Sequence, residues 1–352
     1  NNNFIVEGNT STYIQNGCLV DIKTSGDVLS ISGNEVHFDG AIISNAGTMN
    51  IGGYLNNSVL TANTSFTIQP YSSSRGLFNV KQFKSGSTPT FGVINVKDAD
   101  LTFVDSDNTL VIYELTSEIS NNDINVESGN TISLIDTLTL KSASAIHFNS
   151  GNDVNINNLI VVDGIFDGVD LRTVNTQLSW ELGKLYGPGG IISKGNFDIY
   201  TSGAKSIENN THIRNDGICN WEASCTELTL HDGSVFENYG SSAVLNIIGD
   251  STLIDYYSGT SSTAALLTNK YNANINIVND GVSSSTFTNK IKMENTGIIL
   301  FNQTQNIVTL SGSFYSTSGS VTLASNQKIT IDQSNNNFIV EGNTSTYIQN
   351  GC

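Results

Sequence analysis

Apolar residues recur at every second position in short runs along this chain, and in its middle the runs themselves recur. Ile124, Val126, Ile132 and Leu134 align without a gap on Ile146, Phe148, Val154 and Ile156, a step of 22 residues. Alternation of this kind is the period of a strand, not of a helix. Between the apolar pairs, Ser128-Gly129-Asn130 matches Ser150-Gly151-Asn152, and the glycine can take positive φ at a corner. Similar punctuation, Asn-x-Gly, begins at Asn45, Asn215, Asn238, Asn279 and Asn295. No stripe at i, i+3, i+4 and i+7 persists for three turns.

Twenty-two residues suit one coil of two or three short strands joined by tight corners. One coil cannot enclose its own inward side chains, so coils must stack, with strands about 4.8 Å apart. The pattern predicts an all-β, right-handed parallel β-helix, or β-solenoid, with Ile, Val, Leu and Phe inside and rows of Asn, Ser and Thr outside. Residues 71–74 and 258–262 break the alternation and read as loops pushed out from corners.

A second, longer period frames the first. Residues 1–18 read NNNFIVEGNTSTYIQNGC and residues 335–352 repeat them letter for letter, at an offset of 334. The chain therefore divides into residues 1–334, one repeat unit, and residues 335–352, the start of the next. Ile329 and Ile331 before the seam alternate like Phe338 and Val340 after it, and Phe338 and Val340 are copies of Phe4 and Val6. No capping helix or charged loop interrupts that alternation, whereas a solenoid that stops must shield its terminal strand. These six residues are the expected points of continuation from unit to unit, and the expected partner is another copy of the chain, head to tail. The opening residues form no initiator Met, signal peptide or tag, so the chain reads as a piece of something longer.

Composition narrows the function. Only 13% of the 352 residues are charged, and the aromatic and β-branched content is too high for a disordered chain. The formal net charge of -17 argues against a nucleic-acid partner, which needs cations for its phosphates. No apolar run approaches the roughly 20 residues that cross a bilayer as a helix, so membrane insertion is not expected.

Residues 180–247 carry the phrases W-x-x-G-K-L-Y-G-P-G-G-I-I-S-K-G-N-F, N-D-G-I-C-N-W and L-H-D-G-S-V-F-E-N-Y-G. They resemble the β-helical repeats of filamentous-haemagglutinin-type adhesins. The resemblance covers about a fifth of the chain. It implies an elongated, exported and sometimes adhesive protein at the cell surface or outside the cell.

Three cysteines fall in one unit, with Cys352 the copy of Cys18. Cys219 and Cys225 flank a corner and are near enough to close a small disulfide loop, while Cys18 has no partner in its own unit and reads either as a cross-link to a neighbouring fibre or as a buried thiol. N-glycosylation sequons stand at Asn9, Asn56, Asn63, Asn209, Asn302 and Asn343, a number that the Ser and Thr content supplies by chance.

Enzymatic chemistry finds little support. A polysaccharide lyase or hydrolase on this fold needs converging carboxylates with a basic partner. Asp98, Asp100, Asp105 and Asp107 are scattered singly, and read as surface. His37, His147, His212 and His231 lie far apart without metal-ligand spacing, His37 and His147 reading as outward positions of strands. No catalytic residue, metal site or cofactor is expected. The leading expectation is a structural protein of an extracellular filament. The alternative is a surface adhesin binding glycan or protein, for which an exposed patch using Tyr186, Tyr239, Tyr256 and Tyr257 would be the signature.

Overall fold

The computed structural model describes residues 2–15, 17–52, 59–60, 64–84, 87–104, 107–119, 122–231, 233–256, 264–278, 286–302, 307–323, 328–331 and 337–348. It is all-β: parallel strands stack as a β-solenoid with successive coils about 23 residues apart, and no helix occurs among the described residues. Two compact units are distinguished by their internal packing, Asn1–Thr173 and Val174–Cys352.

In the first unit, one inward row runs Met49, Phe78, Leu101, Ile124, Ile146, Phe166 through directly paired strands. A second runs Ile51, Val80, Phe103, Val126, Phe148 beside it. Every one of these side chains is buried. Burying each is worth about 1.5–3 kcal/mol relative to exposure, and the stacking sets each side chain on its equivalent in the next coil. The coil is not of constant length. Where it lengthens between Met49 and Phe78, the excess includes a turn at Tyr71 and Ser74, closed by an antiparallel bridge, as the sequence pattern suggests. The other expected loop, residues 258–262, lies outside the described residues.

One coil of the second unit is three short strands, Lys205–Glu208, His212–Asn215 and Ile218–Trp221. They pair in parallel with Glu227–His231, Val235–Tyr239 and Val244–Ile248 of the next coil. The corners bear out the punctuation seen in sequence. Gly129 and Gly151 both take φ of 80°. At Asn-x-Gly corners the asparagine Oδ1 accepts from the glycine N–H, at 2.9 Å for Asn45 and 3.1 Å for Asn295. The glycine serves close approach there: a Cβ on Gly217 would lie 2.0 Å from the carbonyl oxygen of Gly195. Asn238 departs from this pattern, because the Gly240 N–H donates to the Lys270 carbonyl instead.

Asparagines at one corner also join into a stack. Asn215 Nδ2 donates to Asn238 Oδ1 at 2.8 Å, Asn238 to Asn269 and Asn269 to Asn295 at 2.9 Å each, and Asn295 to Ser316 Oγ at 2.9 Å. All five are buried. A second row faces outward, Asn276 donating to Asn246, Asn246 to Asn220 and Asn220 to Asp198.

The gapless alignment at 22 residues needs one correction. Ile124 and Val126 do pair with Ile146 and Phe148, but Ile135, not Leu134, pairs with Ile156. Ser133 is an exposed extra residue, and the register of this strand against its other neighbour also shifts here. Leu134 therefore lands on the outer side, while Ile135 is fully buried.

Candidate functional site

Three places gather side chains that could do more than fill the solenoid. The first is the repeated segment. Its first copy forms the strand Asn3–Ile14, which pairs with residues 28–38 of the strand Val28–Asn45. Its second copy forms the strand Phe338–Ile348, which pairs with the strand Phe314–Leu323. The two are closely alike. Each is interrupted once by an extra residue in the pairing, after Gly8 in the first and after Val340 in the second.

The same positions line up with inward rows of the neighbouring strand in both. Phe4, Val6, Thr12 and Ile14 oppose Leu29, Ile31, Val36 and Phe38, and the copies Phe338, Val340, Thr346 and Ile348 oppose Phe314, Ser316, Val321 and Leu323. Phe338 stacks on Phe314 with ring centres 4.9 Å apart. Yet the first copy is not covered on its other side by any described residue. Phe4 is 66% exposed, and with Val6, Thr12, Ile14, Val20 and Leu29 it surrounds a hollow of about 570 Å³. Ile329 and Ile331 oppose the buried Val308 and Leu310, and Ile331 is itself exposed. All six residues expected to mediate continuation thus stand on inward rows.

The second place is a charged row on the first unit. Lys97, next to Asp98 in sequence, pairs with Glu118 at 2.9 Å, and the cation that meets Asp98 and Asp100 comes from stacking. Arg75, on the coil before, contacts both, with Nε 3.7 Å from Asp98 and the guanidinium hydrogen-bonded to Asp100. Asp100 is paired directly with Asp123, and His147 bridges Asp123, at 3.3 Å, to Asp167, at 2.8 Å. His147 does face outward as expected, flanked by buried Ile146 and Phe148. Burial pushes the Asp100 carboxyl above its ordinary value, Arg75 pulls it back, and the like charge of Asp123 adds to the rise. Arg75 and His147 are engaged by these aspartates, so the row links coils along the axis. Asp105 lies outside the described residues and Asp107 is exposed.

This row ends near a buried charge. Arg172 is fully buried and lies 5.1 Å over the Phe166 ring; burial lowers its pKa to about 10 against the pull of Asp167 and Asp170. Asp170 in turn accepts from the Ser150 and Gly151 amides, at 2.6 and 2.8 Å, and so braces the Ser-Gly-Asn corner of another coil.

The third place is aromatic, on the second unit. The Arg214 guanidinium sits 3.8 Å from the centre of the Tyr239 ring, and Tyr239 packs against Tyr271 at 4.8 Å. Two bonds to Asp216, at 2.6 and 2.9 Å, hold Arg214 in place and raise its pKa. Tyr271 is 64% exposed and was not singled out by sequence, because it sits at a corner rather than on a strand. Tyr186 is half-buried; Tyr257 and the side chain of Tyr256 lie outside the described residues. Beside the patch, the buried Glu237 accepts from His212 and Lys270, each at 3.0 Å.

Cys219 and Cys225 are both buried and stand as free thiols rather than as the expected disulfide. Cys219 occupies an inward row between Phe197 and Leu245, while the Trp221 indole N–H donates to the Cys225 carbonyl and fills the corner between them. Burial raises the pKa of both thiols. Cys18 is exposed. Asn209 is an exposed turn residue with φ of 57°. Asn56, Asn63 and Cys352 lie outside the described residues, as do the side chains of Asn9, Asn302 and Asn343.

Among the described residues, no three His, Cys, Asp or Glu side chains converge to hold a metal ion, and no helix is long and apolar enough to cross a membrane. Compared with family models, with curated proteins and with solved structures, the chain matches none.

Proposed function

We propose that this chain is a structural protein, a segment of an extracellular filament built by continuing a tandemly repeated β-solenoid end to end. One observation carries the reading. The repeated segment forms a strand at two places 334 residues apart, Asn3–Ile14 and Phe338–Ile348, and in both the same positions line up with inward rows of the neighbouring strand. A sequence that folds alike in two stacks can serve as the coil at which one unit passes into the next. The exposed Phe4 and the hollow beside it supply the apolar surface that continuation would cover. The function is mechanical: each coil shields the next, so resistance to proteolysis concentrates along the body and vulnerability at the tips.

Electron microscopy of the purified chain tests this directly. Filaments whose axial repeat matches the rise of one unit are expected; monodisperse particles at every concentration and salt would end the proposal. Reducing, denaturing electrophoresis of native material then separates docked subunits, near 37.7 kDa, from one giant tandem chain of very high mass.

A second reading rests on the Arg214, Tyr239 and Tyr271 patch. An exposed and a half-buried tyrosine beside a fixed guanidinium suit the flat apolar face and hydroxyls of a sugar, as a surface adhesin binding glycan would need. Glycan binding by the chain that Tyr271→Ala abolishes would favour it.

A further inference from the structure

Continuation leaves a question of register: which strands meet where one unit gives way to the next. We propose that a single copy of the 18-residue segment forms the whole junction, paired along one edge with residues 314–323 of one unit and along the other with residues 28–38 of another copy. This inference rests on the filament reading and goes further by naming the partners.

The two copies reveal opposite edges of one sequence. Strand Asn3–Ile14 pairs with a strand that follows it in the chain, and strand Phe338–Ile348 with one that precedes it. Both pairings are parallel, and in both the same positions line up with inward rows of the partner strand. A strand of fixed direction and fixed inward face that meets a later coil in one copy and an earlier coil in the other must be using its two different edges. Nothing prevents one copy from using both at once, since a strand inside a parallel sheet does so routinely.

The composite register follows residue by residue. Inward rows become Phe314, Phe4 or Phe338, Leu29; then Val321, Thr12 or Thr346, Val36; then Leu323, Ile14 or Ile348, Phe38. Phe314, Val321, Val36 and Phe38 are already buried, so the rows extend cores that exist on both sides. The outward row reads Tyr315, Ile5 or Ile339, Ser30. The one difference between the copies, the place of the extra residue, falls between the two inward pairs.

When units are separate chains, each brings its own copy, and one of the two must leave. Assembly is then a strand exchange, in which residues 338–348 of one molecule take the place of residues 3–14 in another, or the reverse. The occupant of the open edge is a second copy of this chain and nothing else.

Cysteine pairs in the full chain, in a Cys18→Ser and Cys352→Ser background, test the register. Directly opposed residues of neighbouring strands lie within disulfide reach. Ser30→Cys with Ile339→Cys reports the incoming second copy, and Ile5→Cys with Tyr315→Cys reports the first copy in the same coil. Mild oxidation should give a ladder of multiples of the chain mass from at least one pair. Ser30→Cys with Tyr347→Cys, out of register by one strand segment, should give none. Circular dichroism checks that each variant folds, and His37→Cys with Tyr347→Cys provides an independent in-register pair should one variant fail to. Filaments without any in-register ladder, or an equal ladder from the out-of-register pair, would overturn this junction and leave the filament reading standing. Absence of both filaments and ladders would overturn the two together.

Discussion

The two compact units build the same coil and satisfy its buried polar groups differently. In the first unit, the buried asparagines at three corners bond to backbone carbonyls: Asn108 donates to the Lys81 carbonyl, Asn130 to the Phe103 and Val104 carbonyls, and Asn122 to Val96 and Ile119 as well as to two serines. Each reaches the backbone of a neighbouring coil. Its interior is aromatic, with Phe66 at the centre of a cluster that touches Phe38, Phe78 and Phe91. In the second unit, Asn215, Asn238, Asn269 and Asn295 bond to one another in file. The difference teaches that register in a solenoid can be specified coil by coil, through backbone contacts, or along the axis, through a polarised side-chain chain. The second way makes each corner depend on those above and below it.

The largest effect that sharpens this contrast should come from the aromatic cluster. Phe66→Ala removes a buried ring with three aromatic neighbours, at a cost of about 3–5 kcal/mol. Hydrogen exchange read by mass spectrometry should show the loss of protection confined to the first unit. A spread of equal size into residues 174–352 would show that the two units do not open separately.

Next comes the asparagine file. Asn238→Ala orphans the Asn269 Oδ1 and the Asn274 carbonyl, both of which it now serves, and each buried group left unmatched costs about 1–3 kcal/mol. The sharper test is coupling. A double-mutant cycle of Asn238→Ala with Asn269→Ala should deviate from additivity by about 1 kcal/mol or more, whereas Asn108→Ala with Asn122→Ala, beyond opposite ends of the strand Thr109–Ile119, should add within about 0.5 kcal/mol. Additivity in both units would dissolve the distinction between local and axial specification.

How much of this could be read from sequence follows from the same physics. The strand period, the stacked corners of Gly129 and Gly151 and the inward Ile124 and Ile146 were legible, because inward residues must alternate and equivalent corners must recur. Leu134 was misplaced because one added residue, Ser133, reverses every later side chain while leaving the composition of the run unchanged. The charged row was invisible for a related reason. Arg75 meets Asp98 and Asp100 only because coils stack, and coil lengths vary enough that no single period brings position 75 to position 100, or 123 to 147 to 167. Asp123 and His147 are not even in the same row; they meet diagonally, two residue positions across and one coil along. Tyr271 hides at a corner, where the alternating pattern carries no information about direction.

The smallest expected effect, and the one that most directly opposes the two units, is their response to acid. In the first, the Asp100 carboxyl lies above its ordinary value of 3.8, chiefly through burial, so the folded state disfavours its charge. Its contribution to stability is present below that ordinary value and is lost as pH rises through the raised one. In the second, burial pushes Glu208 up, but hydrogen bonds from Ser206 and Lys184 and the charges of His231 and Lys184 outweigh it, and the pKa falls below 4.5. Its contribution is present above 4.5 and is lost as pH falls through the lowered value. Acidification through this range should therefore relieve strain around Asp100 while loosening the coils that Glu208 ties together. Hydrogen exchange at graded pH, corrected for its intrinsic rates, should show protection near residues 100–126 holding or rising as protection near residues 205–231 declines. Asp100→Asn should flatten the first trend and Glu208→Gln the second. Parallel decline in both regions, unchanged by either substitution, would mean that the net charge of the whole chain, not these two carboxylates, governs its acid response.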